Sequence, residues 1–161
     1  MHHKRLKFSI KESLKIAGCI VLCLLAGIIG SLFTITGLGS WYMNLVKPSF
    51  NPPNWIFGPV WTILYILMGI SLYLALKNGA SRTAKILFAS QLMLNLSWTM
   101  LFFGLKSPVL GLVCIIFLWL AILFTIKEFH KSSAMSAYLL VPYILWVSFA
   151  SLLNYAIYIL N

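Results

Sequence analysis

The stretch Trp41-Tyr-Met-Asn-Leu-Val-Lys-Pro-Ser-Phe-Asn-Pro-Pro-Asn-Trp-Ile-Phe-Gly-Pro-Val-Trp-Thr-Ile-Leu-Tyr65 changes character half-way. Up to Asn54 it is broken by Pro48, Pro52 and Pro53 and carries polar side chains, and from Trp55 it is an apolar run that continues to about residue 76. Proline fixes φ and removes a donor, so the first half holds its shape without a hydrogen-bond ladder. A second apolar run, 16–36, lies on its amino-terminal side. The pattern predicts a stiff aromatic loop at a membrane face, 37–54, serving as a lid over a bundle of apolar helices. Such a lid suits a flat, greasy ligand.

The rest of the chain agrees. Of 161 residues 61% are hydrophobic and 9% charged, and Glu12 and Glu128 are the 2 acids. A hydrocarbon core needs about 20 apolar residues of helix. Stretches 16–36, 55–76, 84–104, 108–126 and 134–160 qualify, and only Lys85, at an end from which it can snorkel, brings a charge into any of them. A β-barrel would show short alternating segments in place of these continuous runs. The prediction is a single all-α domain over 1–161, a polytopic membrane protein built as a five-transmembrane-helix bundle. The first run follows Lys4, Arg5, Lys7, Lys11 and Lys15 as a secretion signal would, but it is longer than a signal's apolar core and no Ala-x-Ala site follows, so a retained helix is expected.

The formal net charge of +10 is explained by where the charge sits. With five spans, the amino-terminal segment and the turns at 77–85 and 127–133 share one face. Of the 12 Lys and Arg, only Lys47 and Lys106 fall on the other. This is the positive-inside pattern. It predicts a cytoplasmic amino terminus, an external lid and an external carboxyl terminus. Attraction to anionic lipid accounts for the basic residues without a nucleic-acid partner.

Several chemistries are excluded. No carboxylate lies within the spans, so proton-coupled antiport lacks its coupling group. There is no Ser–His–Asp set and no glycine-rich phosphate loop. Metal ligation is not expected, because His130 belongs to a turn and Cys19, Cys23 and Cys114 read as small buried hydrophobes. Indoles, phenols, amides and thiols are what the bundle offers.

Their spacing picks out candidate faces. In the first span Ala26, Gly27, Gly30, Ser31 and Thr34 form a ridge of small residues, which lets helices approach closely and leaves Ser31 and Thr34 able to line a cavity. In the second, Phe57, Trp61, Tyr65 and Met68 make one stripe, and Pro59 should bend its first turns. Asn51 or Asn54 is the expected cap. Gln91, Asn95 and Trp98 share a face of the third span, where two amides must bond across helices or face a cavity. The fourth opens with Ser107 as cap and Pro108 at the first position. In the fifth, the small Ala150 between Trp146 and Asn154 leaves room against the Trp146 indole.

These residues together resemble the tryptophan-rich sensory protein/translocator protein family, also called peripheral-type benzodiazepine receptors. The matches are Trp41-Tyr42, Lys47-Pro48-Ser49, Pro52-Pro53, Trp55, Gly58-Pro59-Val60-Trp61, Leu64-Tyr65 and Met68-Gly69. They continue with Gln91, Asn95, Trp98, Phe102-Phe103-Gly104, Pro142-Tyr143, Trp146, Phe149-Ala150 and Leu153-Asn154-Tyr155. The resemblance spans about 30–158. It implies a five-helix protein of the bacterial cell membrane, usually a homodimer, with one pocket for porphyrins such as protoporphyrin IX and no required cofactor. Carried over, the ligand-binding set would be Ser31, Thr34, Phe57, Trp61, Asn95, Leu110, Cys114, Phe117, Trp146, Ala150 and Leu153. Some bacterial members are linked to light- and oxygen-dependent porphyrin breakdown, for which Trp61 and Trp146 would be the catalytic candidates. The sterol motif of the family is incomplete, since nothing basic follows Tyr155 or Tyr158. A porphyrin receptor or sensor is therefore the leading expectation, a porphyrin-degrading enzyme the first alternative and a transporter of tetrapyrroles or other lipophiles the second.

Overall fold

The computed structural model of the chain describes residues 9–39 and 41–161; Lys4, Arg5, Lys7 and Ser40 lie outside them. The described residues form α1 (Ile10–Leu38), α2 (Trp41–Asn44), α3 (Asn54–Lys77), α4 (Arg82–Thr99), α5 (Pro108–Ser132), α6 (Ala134–Tyr138) and α7 (Val141–Leu160). With α6 and α7 taken together there are 5 spans long and apolar enough to cross a membrane. The five-helix prediction is met, with differences at the ends.

α1 begins at Ile10, earlier than expected, because Lys11, Glu12 and Lys15 extend it beyond the apolar core. There Glu12 pairs with Lys77 at 2.5 Å and accepts from the Tyr73 hydroxyl at 3.4 Å, tying the start of α1 to the end of α3. The fifth span is interrupted at Leu139–Leu140, just before Pro142. Proline has no N–H to give to the carbonyl a turn earlier, so the helix restarts rather than continues. α4 widens at Met100–Gly104 into a π turn, closed by Leu105 N–H donating to the Met100 carbonyl at 2.8 Å.

Capping was half legible. Ser107 accepts from the Leu110 N–H at 3.3 Å, with Pro108 opening α5, as predicted. Neither Asn51 nor Asn54 caps α3: Pro53 holds that position without a side-chain bond. Asn51 instead accepts the Tyr42 hydroxyl at 3.2 Å and donates to the Pro52 carbonyl, so its amide serves the lid.

Glycines set the closest helix contacts. A Cβ on Gly69 would run into the backbone of Ile20, and one on Gly37 would sit 2.6 Å from the Phe103 carbonyl. On the small ridge of α1, a Cβ on Gly27 would run into the Tyr65 ring and one on Gly30 would sit 3.1 Å from the Thr99 hydroxyl, so these two glycines do the close packing expected in lipid.

Candidate ligand cavity

At the lid end the helices part around a cavity of about 490 Å³, within the usual range for small-molecule sites. α3 supplies Phe57, Trp61 and Tyr65, α4 supplies Asn95, Trp98 and Thr99, and α7 supplies Trp146, Ala150 and Leu153. Tyr42 of the lid and Phe102 of the π turn close the top. On one side Ile28, Ser31 and Ile35 of α1 and Gly58 and Thr62 of α3 line the space and are also exposed, so the cavity opens sideways between these two helices.

Aromatic rings form the wall. Trp61 stacks on Tyr65 at 5.6 Å and meets Tyr143 edge-on at 6.2 Å, while Phe57 meets Trp146 edge-on at 5.9 Å. Trp98 stacks on Phe102 at 5.3 Å, a contact that the π turn makes by carrying Phe102 inward. Such pairs add specificity of geometry to the area they bury.

Polar groups are few and mostly spent. Asn95, 2% exposed, accepts the Tyr65 hydroxyl at 2.5 Å and donates to Tyr143 at 3.1 Å, which makes a polar floor joining α3, α4 and α7. Asn154 accepts the Trp98 ring N–H at 3.1 Å and donates to the Pro108 carbonyl at 2.8 Å. Ser31 and Thr34 return their hydroxyls to their own helix, at the Ile28 and Gly30 carbonyls. The ring N–H of Trp146 is different: it is buried and has no partner among the described residues.

The lid is pinned to α7 through Val46 and Phe50. Asn161 accepts from the Val46 N–H at 2.9 Å and donates to the Val46 carbonyl at 3.0 Å, clasping the loop backbone to the end of α7. Lys47 sits 4.8 Å from the Tyr42 ring centroid, and Phe50 meets Phe149 edge-on. Burial pushes the Tyr42 phenol above its ordinary range while the Asn51 bond pulls the other way, so it stays a donor at neutral pH.

The model of the TspO/MBR family matches residues 19–160. The chain belongs to that family. It is 50% identical over 155 residues to the tryptophan-rich protein TspO of Chlorobaculum tepidum, a match covering 94% of this chain and 98% of the relative. The tryptophan-rich protein TspO of Archaeoglobus fulgidus is 47% identical, covering 92% and 97%. The translocator protein of Bos taurus is 37% identical, covering 86% and 85%. A TspO/MBR chain with five spans is an integral membrane protein.

Most of the expected site residues come together in this TspO/MBR chain. Ser31, Thr34, Phe57, Trp61, Asn95, Trp146, Ala150 and Leu153 all line the one cavity. The α5 residues do not. Leu110 is 44% and Phe117 58% exposed on the outer face, and Cys114 is buried against α4 with its thiol on the Leu94 carbonyl at 3.5 Å. The reason is packing: Gly111 brings α5 so close to Phe102 and Asn154 that α4 and α7 shut it out of the cavity. Tyr42, Tyr65, Trp98 and Phe102 were missing from the expected set. Tyr65 and Trp98 carried a signal, since they continue the Phe57–Trp61 and Asn95 faces by helical spacing.

Proposed function

We propose that this protein is a receptor for flat, largely apolar ligands of the porphyrin class, protoporphyrin IX being the representative, held in the cavity under the lid. The observation that carries the reading is the cavity wall, where Phe57, Trp61, Trp98, Phe102 and Trp146 set aromatic rings around about 490 Å³ of largely apolar space. A flat ring system matches these walls; no cofactor is called for. The test is titration of protoporphyrin IX into the detergent-solubilised protein, followed by tryptophan quenching. Trp146→Phe takes part of the aromatic surface out of the wall, so the dissociation constant should rise about 2- to 10-fold, the worth of one aromatic contact. Unchanged affinity in that variant would sink the assignment.

A second reading rests on Trp61 and Trp146 bordering the same cavity: the two indoles carry a light- and oxygen-dependent degradation of bound porphyrin. It requires the absorbance of bound protoporphyrin IX to decay under light faster than that of free porphyrin in matched detergent, and more slowly in Trp61→Phe and Trp146→Phe. Decay equal to that of free porphyrin leaves the receptor alone. The receptor reading also includes a bacterial cell-membrane location and a homodimer, the latter read out by crosslinking in native membranes.

A further inference from the structure

Gln91 is 1% exposed, and neither its Oε1 nor its Nε2 has a hydrogen-bond partner among the described residues. A primary amide brings two donors and two lone pairs into the interior, and leaving all of them unmet there is strongly unfavourable. An apolar side chain of similar size would serve packing better. Something polar must therefore meet it.

The surroundings say what. Gln91 lies four residues from Asn95, on the same face of α4 and one turn further from the lid. Asn95 spends one N–H on Tyr143 and its oxygen on Tyr65. Its second N–H and the hydroxyl proton of Tyr143 meet no protein acceptor among the described residues. One turn below Tyr65 on α3 is Met68, and before Tyr143 stands Leu140, both fully buried and apolar. Unspent donors of the floor thus stand one turn of α4 away from an amide whose donors and acceptors are all unmet, and the buried Met68 and Leu140 offer it no N–H, O–H or oxygen. Water is the molecule that can accept from one group and donate to the other, and buried waters sit where several otherwise unsatisfied polar groups converge.

We propose that Gln91 holds one or two buried waters that link it to Tyr143 and so complete the Tyr65–Asn95–Tyr143 floor of the cavity. The water accepts the Tyr143 hydroxyl proton and donates to Gln91 Oε1, which fixes the direction of that hydroxyl and of the Asn95 amide. Gln91 is then a positioning residue for the floor, acting through water. The site is independent of which ligand the cavity takes.

The experiment combines a high-resolution structure of the wild type with thermal unfolding of Gln91→Leu, Tyr143→Phe and the double variant, all as the full chain in detergent. Ordered density is expected within hydrogen-bond distance of the Gln91 amide. Gln91→Leu should lower Tm by roughly 2–8 °C, although it removes a buried amide, and the double variant should melt no lower than the weaker single, because both cut one bridge. A rise in Tm for Gln91→Leu, or losses that simply add, would overturn the bridge. Density showing protein atoms on both amide atoms would overturn the water. If Gln91→Leu does not fold, Gln91→Met takes its place in the same comparison.

Discussion

Asn95 shows what an amide in a membrane helix is for. Its two phenol partners come from different helices, so its bonds hold α3, α4 and α7 in register at the cavity floor. Removing it leaves two buried hydroxyls unmet, each costing about 1–3 kcal/mol. Asn95→Ala should therefore lower thermal stability and porphyrin affinity together, whereas Trp146→Phe should lower affinity alone. Trp119, whose ring N–H donates to Ser148 at 2.8 Å on the outer surface, is the control: Trp119→Ala should leave affinity unchanged. Parallel melting curves and titrations of the three variants decide it, and an Asn95→Ala protein with wild-type stability would remove the floor from the account.

At the scale of elements, the lid matters most. Its prolines restrict it, but its seat depends on contacts far apart in sequence, chiefly the paired bonds between Val46 and Asn161. Breaking them with Asn161→Ala should free the loop without touching the cavity wall. Amide exchange at Val46 and its neighbours should then accelerate, and ligand release should speed up more than binding weakens. Exchange rates in the lid that match the wild type would show that the prolines and the Tyr42–Asn51 bond suffice.

At the scale of the whole molecule, most basic side chains of the described residues gather at one end. Lys11, Lys15, Lys77, Arg82, Lys85, Lys127 and Lys131 lie at the end away from the lid, against Lys47 and Lys106 near it. The expected orientation is lid outward and amino terminus inward. Single cysteines at Ser49 and Thr83, both exposed, in a background lacking Cys19, Cys23 and Cys114, can be labelled in intact cells by an impermeant thiol reagent. Position 49 should react and position 83 should be protected. The reverse pattern would invert the topology. Thr83 is used because Ser81 caps α4 by accepting the Ala84 N–H, and its loss would disturb the helix.

The sequence by itself determined the number of spans, the lid and the family, because hydrocarbon thickness sets helix length and aromatic and proline spacing survives in a linear reading. Through the family resemblance it also named part of the cavity wall, Phe57, Trp61, Asn95 and Trp146 among it. It could not say which of two faces of α5 turns inward. That was settled by Gly111, whose missing Cβ admits Phe102 and Asn154 and leaves Leu110 and Phe117 to the lipid. Nor could it tell a spent amide from an unspent one. Gln91, Asn95 and Asn154 read alike along the chain, yet Asn95 and Asn154 find partners across the bundle and Gln91 does not. A hydrogen bond depends on the meeting of two groups a few ångströms apart, and only the packed helices decide which groups meet.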